Sequence, residues 1–350
     1  MNFSPDEKFM DRAIKLSRRG YPAPNPHVGC VVVKDGEIVG EGYHDFAGGP
    51  HAERVALKNA GAKASGSIVY VTLEPCNHLG RTPPCTEALT AAGVSRVVYA
   101  VKDPNKGASG GAETLKAAGI DVNGGLMAEK ARDANLAWLR AMERQSPFVV
   151  AKVAMSLDGR VALPGGESKW ITGEKARKRG HQLRAELGAV LIGRNTAELD
   201  RPRLSARIGA VRRQPTRVLI DPQGTIGPFG GFEVPREDDI LFTKLGTRFG
   251  IRLPINEQGL FSAEAILEEL WKLGITSVLI EGGPRTLGPF LKQNLVDQIH
   301  LFVSGKVLFE GPAWAVGQLS LLADAPHYRF LKISRVGADL EILVETRKLD

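Results

Sequence analysis

Residues 48–85 constrain this chain more than any other stretch. They open with Gly-Gly-Pro-His-Ala-Glu and close with Glu-Pro-Cys-Asn-His-Leu-Gly-Arg-Thr-Pro-Pro-Cys. Two of the three cysteines, Cys76 and Cys85, fall here together with His51. One imidazole and two thiolates can hold Zn²⁺ and leave the fourth position open for water. The metal lowers the pKa of that water toward neutrality and makes hydroxide available at physiological pH. Glu53 follows His51 by two residues, too close for a comfortable second ligand. It is suited to moving a proton from hydroxide to a leaving amine.

The His-x-Glu…Pro-Cys frame resembles the signature of zinc-dependent deaminases, but its spacing departs from the general form. Eight residues separate Cys76 from Cys85. A short C-x-x-C would hang both thiolates on one helical turn. Here Cys76 is expected from a loop and Cys85 from the start of the next helix, with residues 78–84 looping out as a candidate substrate wall. Three other readings compete. A closed structural zinc with His78 as fourth ligand would leave Glu53 idle. A Cys76–Cys85 disulfide would need an oxidising compartment. His51 alone could be an ordinary helix-start histidine, which the constellation argues against.

A length of 350 residues suits two domains or one large one, and a 43% hydrophobic fraction is enough for real cores. Three cysteines cannot form a secreted disulfide framework, and Cys30, in an apolar run, reads as a buried inert thiol. The first residues carry no apolar signal region, and no stretch approaches the ~20 apolar residues of a membrane span. A cytoplasmic protein is expected. The formal charge is +7, with twelve Lys and Arg residues between Lys175 and Arg217. A nucleic-acid surface is one reading, weakened by the absence of interleaved aromatic residues. A few arginines binding a phosphorylated small molecule, the others solvated, is another.

Taken in order, Ser4-Pro5-Asp6-Glu7 reads as a capped helix start. Residues 27–34 and 38–42 read as a hairpin turning at Asp35-Gly36. Pro50 suits the first turn of a helix with His51 and Glu53 at its N-terminus. Residues 68–73, 96–101 and 120–122 read as strands, 86–92 and 114–118 as short helices stopped by glycine, and 127–143 as one longer helix. This alternation implies an α/β sandwich with the metal at helix N-termini. A new domain is expected at Phe148. Its strands are read at residues 149–154, 189–192, 217–220, 240–242 and 277–280, with helices at 174–187 and 262–273. The Glu281-Gly282-Gly283-Pro284 turn follows a buried strand, where glycines let backbone approach a pyrophosphate, though it lacks the dinucleotide fingerprint spacing.

These residues together resemble the bifunctional riboflavin-biosynthesis deaminase–reductases. The resemblance rests on Pro24-Asn25-Pro26, His51-Ala52-Glu53 and the Cys76…Cys85 frame with Gly80-Arg81-Thr82-Pro83-Pro84. In the second half it rests on Ser156-Leu157-Asp158-Gly159-Arg160, Ser168-Lys169-Trp170-Ile171-Thr172-Gly173 and Glu281-Gly282-Gly283. It implies a cytidine-deaminase-like α/β/α sandwich over residues 1–146 and a dihydrofolate-reductase-like α/β domain over 147–350. The first would be a zinc-dependent deaminase, with one Zn²⁺ per chain on His51, Cys76 and Cys85 and with Glu53 catalytic. It would remove the 2-amino group of 2,5-diamino-6-(5-phosphoribosylamino)pyrimidin-4-one. The second would use NADPH to turn the ribosyl side chain into ribityl.

By the same resemblance Asn25 and His44 contact the pyrimidine. Ser168, Arg184, Leu204 and Arg207 hold the reductase substrate and its phosphate, with Lys152 and Glu281 on the substrate side. Ala154, Trp170, Thr196, Asp200 and the turn Gly282, Gly283, Pro284, Arg285, Thr286 and Leu287 border the nicotinamide nucleotide. The partners implied are a phosphorylated pyrimidine and further copies of the chain in a homo-oligomer, with neither nucleic acid nor membrane. The chain departs from the family pattern at Gly188, at Arg201 and in residues 304–309, read as following the last strand. Two other classes remain open: a nucleobase or nucleic-acid deaminase with an inactive second domain, and a zinc-stapled binding protein.

Overall fold

The computed structural model describes residues 3–78, 83–209, 211–226, 231–244, 250–317 and 320–346. The chain divides into two compact units, Met1–Gln145 and Ser146–Asp350.

The first unit opens on α1 (Pro5–Ser17). Ser4 Oγ accepts from Glu7 N at 3.3 Å, and Ser4 N donates to the Glu7 carboxylate at 2.7 Å. This reciprocal box satisfies two donors that the first turn leaves open. The antiparallel hairpin β1 (Gly29–Lys34) and β2 (Glu37–Tyr43) follows. Both its turn residues have positive φ, Asp35 at 50° and Gly36 at 80°, the turn geometry that suits twisted strands. Then come α2 (Ala52–Ala60), β3 (Ile68–Leu73), α3 (Cys85–Ala91), β4 (Arg96–Val101), α4 (Gly111–Ala117), β5 (Asp121–Gly124), α5 (Ala128–Ala134) and α6 (Leu136–Arg144).

Among the described residues the sheet order is β2-β1-β3-β4-β5, with β3, β4 and β5 parallel. Alternation along β1 sends Cys30 and Val32 to one face and Val31 and Val33 to the other. The first face packs on Ala52 and Ala56 of α2, Leu89 of α3 and Leu115 of α4. The second packs on Met10 and Ile14 of α1, Ala131 of α5 and Leu139 of α6. α2 lies directly on β2: a Cβ at Gly42 would stand 2.3 Å from Ala52 O. The helix expected over residues 127–143 is broken into α5 and α6. Asn135, at φ −127°, interrupts it and accepts from His27 N at 3.0 Å through Oδ1. That bond satisfies a backbone donor of the loop entering β1.

The second unit runs β6 (Phe148–Met155), α7 (Glu174–Glu186), β7 (Ala189–Gly193), α8 (Arg194–Asp200), β8 (Thr216–Asp221), β9 (Ile240–Thr243), β10 (Ile251–Arg252), α9 (Ala263–Lys272), β11 (Ser277–Ile280), α10 (Pro284–Lys292), β12 (Gln298–Val303), β13 (Tyr328–Val336) and β14 (Asp339–Thr346). Its described strands form one sheet, β10-β9-β8-β7-β11-β6-β12-β14-β13. β11 lies between β7 and β6, parallel to both. Chain order is broken there, and in such sheets ligands bind beyond the carboxyl ends of the strands. Val149, Ala151, Leu191, Val278 and Ile280 bury that centre against Leu267 and Phe290.

Three features differ from the sequence reading. Residues 194–200, where the sequence reading places no element, form α8. The 282–287 turn is in part the first turn of α10, with Gly283 as its N-cap residue. Residues 304–309 do not follow the last strand, because β13 and β14 close the sheet. β13 is exposed over most of its length, so no single buried face marks it.

Candidate functional site

The three candidate metal ligands come from three places in the first unit. His51 is the N-cap residue of α2, Cys76 lies in the loop after β3, and Cys85 opens α3. His51 Nδ1 lies 3.2 Å from Cys85 Sγ and 3.5 Å from Cys76 Sγ, and the three donor atoms fall within 4.8 Å of one another. A tetrahedral zinc with bonds of about 2.0–2.3 Å needs donors roughly 3.5 Å apart, so the set fits. The cysteines are free thiols rather than a disulfide. Hydrogen bonding from Cys85 and from His51 overcomes burial and brings Cys76 down to about 4; the same Cys76 contact, with burial, pushes Cys85 up. A divalent cation is the natural replacement for the proton between two such sulfurs.

Glu53, in the first turn of α2, is only 4% exposed, and burial raises its pKa despite the opposing pull of His51. A carboxyl whose proton affinity is raised by burial is better able to take up a proton and pass it on. His44 Nδ1 faces Pro50 O at 3.0 Å, and its Nε2 meets Asn25 Nδ2 at 3.0 Å. A carbonyl only accepts, so the ring carries its proton on Nδ1 and accepts from Asn25. Burial lowers the His44 pKa and keeps the ring neutral. The His44 ring stands edge-on to His51 with centroids 5.5 Å apart, so the pair expected to read a pyrimidine lies at the metal centre. His78 is exposed, and Cys30 is fully buried. Residues 79–82, with most of the Gly80-Arg81-Thr82-Pro83-Pro84 motif, lie outside the described residues. Arg54 ties down the end of that segment, donating to Pro83 O at 3.1 Å.

The second unit contains a cleft of about 2090 Å³. Every residue assigned to the reductase half by resemblance lines it: Lys152, Ala154, Ser168, Trp170, Arg184, Thr196, Asp200, Leu204, Arg207, Glu281 and residues 282–287. β6 supplies Lys152 and Ala154, and Glu281 leaves the end of β11 beside them. At Gly193 a Cβ would stand 2.1 Å from Thr286 Oγ1, and at Gly282 one would stand 2.7 Å from Thr286 Cβ. Glycine at both positions lets the first turn of α10 settle against the ends of β7 and β11. Nothing approaches the Cβ position of Gly283, and no side chain caps α10. That helix start can receive an anion.

Arg184, which lines the cleft, has its Nε and Nη2 paired with Glu281. Arg207 is exposed on the cleft. Much of the basic stretch is likewise paired within the unit: Arg179 with Glu186 and Glu341, Arg203 with Glu233, and Arg217 with Asp239. Three contributors were missed in the sequence. Arg177 lies over the Trp170 ring at 4.6 Å and donates to Thr172 O; Lys306 donates to Trp170 O at 2.6 Å. His181, on α7, also lines the cleft. The only sequence signal for Arg177 and His181 is their spacing from Arg184 on one helix; Lys306 comes from 136 residues beyond Trp170, and nothing local marks it.

Comparison with known proteins agrees with both sites. Residues 3–101 match the cytidine and deoxycytidylate deaminase zinc-binding region, and residues 147–342 match the RibD C-terminal domain. Riboflavin biosynthesis protein RibD of Aquifex aeolicus is 41% identical, over 96% of this chain and 97% of that protein. The chain belongs to the RibD family. The Escherichia coli RibD is 42% identical over 96% of this chain and 98% of its own length. Among solved structures, Acinetobacter baumannii RibD (form 1) superposes with a TM-score of 0.90 at 37% identity, covering 98% of this chain and 99% of that one. As a RibD, the protein is a bifunctional enzyme of riboflavin biosynthesis, with a cytidine-deaminase-like unit and a dihydrofolate-reductase-like unit. No described helix is long and apolar enough to cross a membrane.

Proposed function

We propose that residues 1–146 deaminate 2,5-diamino-6-(5-phosphoribosylamino)pyrimidin-4-one with one Zn²⁺ per chain. Residues 147–350 then reduce the ribosyl chain of the product with NADPH, giving 5-amino-6-(5-phosphoribitylamino)uracil. The observation that carries this reading is that one unit gathers His51, Cys76 and Cys85, with Glu53 two residues after His51, and the other gathers Lys152, Arg207, Glu281 and the start of α10 around one cleft. A related Thermotoga maritima structure, 34% identical with a TM-score of 0.84, is titled a diaminohydroxyphosphoribosylaminopyrimidine deaminase/5-amino-6-(5-phosphoribosylamino)uracil reductase.

In the deaminase, His51, Cys76 and Cys85 would hold the zinc, which supplies an activated water at neutral pH. Glu53 would carry a proton to the departing amine, the overall change being water and substrate to the carbonyl product and ammonia. His44, fixed as the Nδ1–H tautomer by Pro50, orients the Asn25 amide so that its oxygen is free to accept from a pyrimidine N–H.

In the reductase, NADPH supplies the hydride, and the protein's task is positioning. The open backbone at Gly283 and the start of α10 fit a pyrophosphate. Trp170, Thr196 and Asp200 border the nicotinamide nucleotide. Ribosyl-to-ribityl reduction also requires one proton, and Lys152 is a suitable donor. Burial lowers its pKa, and the charge of Glu281, 3.9 Å away, opposes that shift. Arg207 supplies an exposed guanidinium for the substrate phosphate, with Ser168 and Leu204 lining the same cleft. The deciding experiment follows ammonia release from the diaminopyrimidine by the zinc-replete enzyme, with and without NADPH. Ammonia should appear in both cases, and NADPH should be consumed only after deamination.

A further inference from the structure

Residues 204–207 carry two side chains that line the cleft, Leu204 and Arg207, and between them two residues held by their backbone. Leu204 has φ 49°, in the left-handed region that branched side chains disfavour. The next peptide groups explain how the chain stays there. Ser205 O accepts from His181 Nδ1 at 3.0 Å and from Arg184 Nη1 at 3.2 Å. Ala206 N donates to Gln214 Oε1 at 2.7 Å, and Ala206 O accepts from Gln214 Nε2 at 3.2 Å. The Gln214 amide thus pairs with the Ala206 backbone as a neighbouring strand would. Arg207 comes next, with Nε 3.5 Å from Ser205 Oγ.

We infer that His181 and Gln214 are positioning residues for the reductase substrate: they latch residues 205 and 206, one from α7 and the other from the loop before β8, and so aim Leu204 and Arg207 into the cleft. The inference rests on the reading of Arg207 as the phosphate-binding group. Arg184 shares the Ser205 oxygen through Nη1 while its Nε and Nη2 pair with Glu281, and it does not reach Ala206, which among the described residues Gln214 alone holds by side chain. An Arg207 that is not held in place must be ordered when substrate binds, and that ordering is lost from affinity rather than from the hydride step.

The test is NADPH oxidation by the full-length enzyme, with the deaminated phosphoribosylamino substrate and its dephosphorylated counterpart. His181→Ala and Gln214→Ala should each raise KM for the phosphorylated substrate roughly five- to tenfold, with kcat within about twofold. Their kcat/KM for the dephosphorylated substrate, which keeps only the Leu204 contact, should fall by less than about twofold, and an unchanged denaturant melt shows that the unit is folded. His181→Asn, whose amide nitrogen can stand near the Nδ1 position, should restore KM. Ribose 5-phosphate titrated into the enzyme without NADPH should bind more weakly to both alanine variants by a similar factor. Equal losses with the two substrates, an unchanged KM, or an asparagine variant no better than alanine would each overturn the inference. Arg207→Ala separates the two ideas. If it loses phosphate selectivity and the latch variants do not, the latch alone is wrong; if it loses none, the phosphate reading falls and the latch with it.

Discussion

Glu281 closes its carboxylate on the Arg184 guanidinium through two parallel contacts, Oε1 to Nε at 2.5 Å and Oε2 to Nη2 at 2.9 Å. Lys152 Nζ lies 3.9 Å from the same carboxylate. One buried acid therefore stands between two cations at the heart of the reductase cleft. Such a fork-to-fork pair is geometrically specific, and removing one partner leaves the other buried without compensation.

This pair ties reductase stability to acid. Burial by itself would raise the Glu281 pKa, but the Arg184 charge and hydrogen bonds, helped by Lys152, hold it at about 2 rather than 4.5. A depressed carboxylate contributes stability that is present above the unfolded value and lost as pH falls through the folded one. On the order of 3 kcal/mol is linked in this way. In urea melts of wild type and Glu281→Gln, the stability gap should be constant above about pH 4.5 and should narrow as pH falls toward 2. A gap that widens on acidification would contradict the linkage.

The two arginines first grouped as phosphate ligands should behave differently. Arg184→Ala strands Glu281 and should destabilise the second unit by about 3–5 kcal/mol, visible in denaturant melts with or without ligand. Arg207→Ala, at an exposed position, should leave the melt unchanged within about 0.5 kcal/mol. It should instead lower kcat/KM roughly ten- to a hundredfold for the phosphorylated substrate only.

At the metal centre, Glu53→Gln keeps all three donors and should keep one zinc per chain by elemental analysis. Ammonia release should nevertheless fall by several orders of magnitude, because the amide cannot carry the proton. Near-normal turnover in this variant would exclude Glu53 as the proton carrier.

Cys76→Ala should abolish deamination while NADPH oxidation with pre-deaminated substrate survives. Each unit has its own buried core, so loss of one metal ligand should not unfold the other unit. Loss of NADPH oxidation in a variant whose second unit still melts normally would mean that the two activities share a site.

Spacing in the chain determined the metal centre. His51, Glu53, Cys76 and Cys85 were identifiable as one site because proton transfer and zinc coordination each demand particular atoms, and few other residues offer them. The α/β character was likewise readable from apolar runs punctuated by glycine, since strand and helix periods are local properties. What tertiary structure decided was partnership. Nothing in the sequence distinguishes Arg184, clamped by a carboxylate 97 residues away, from Arg207, left open on the cleft. Nor does it show that Asn135 breaks a helix to satisfy His27 N, 108 residues earlier, or that Lys306 holds Trp170. The closing β13–β14 hairpin was hidden for a related reason: an exposed edge strand buries no face, so the pairing that makes it a strand leaves no hydrophobic pattern to read.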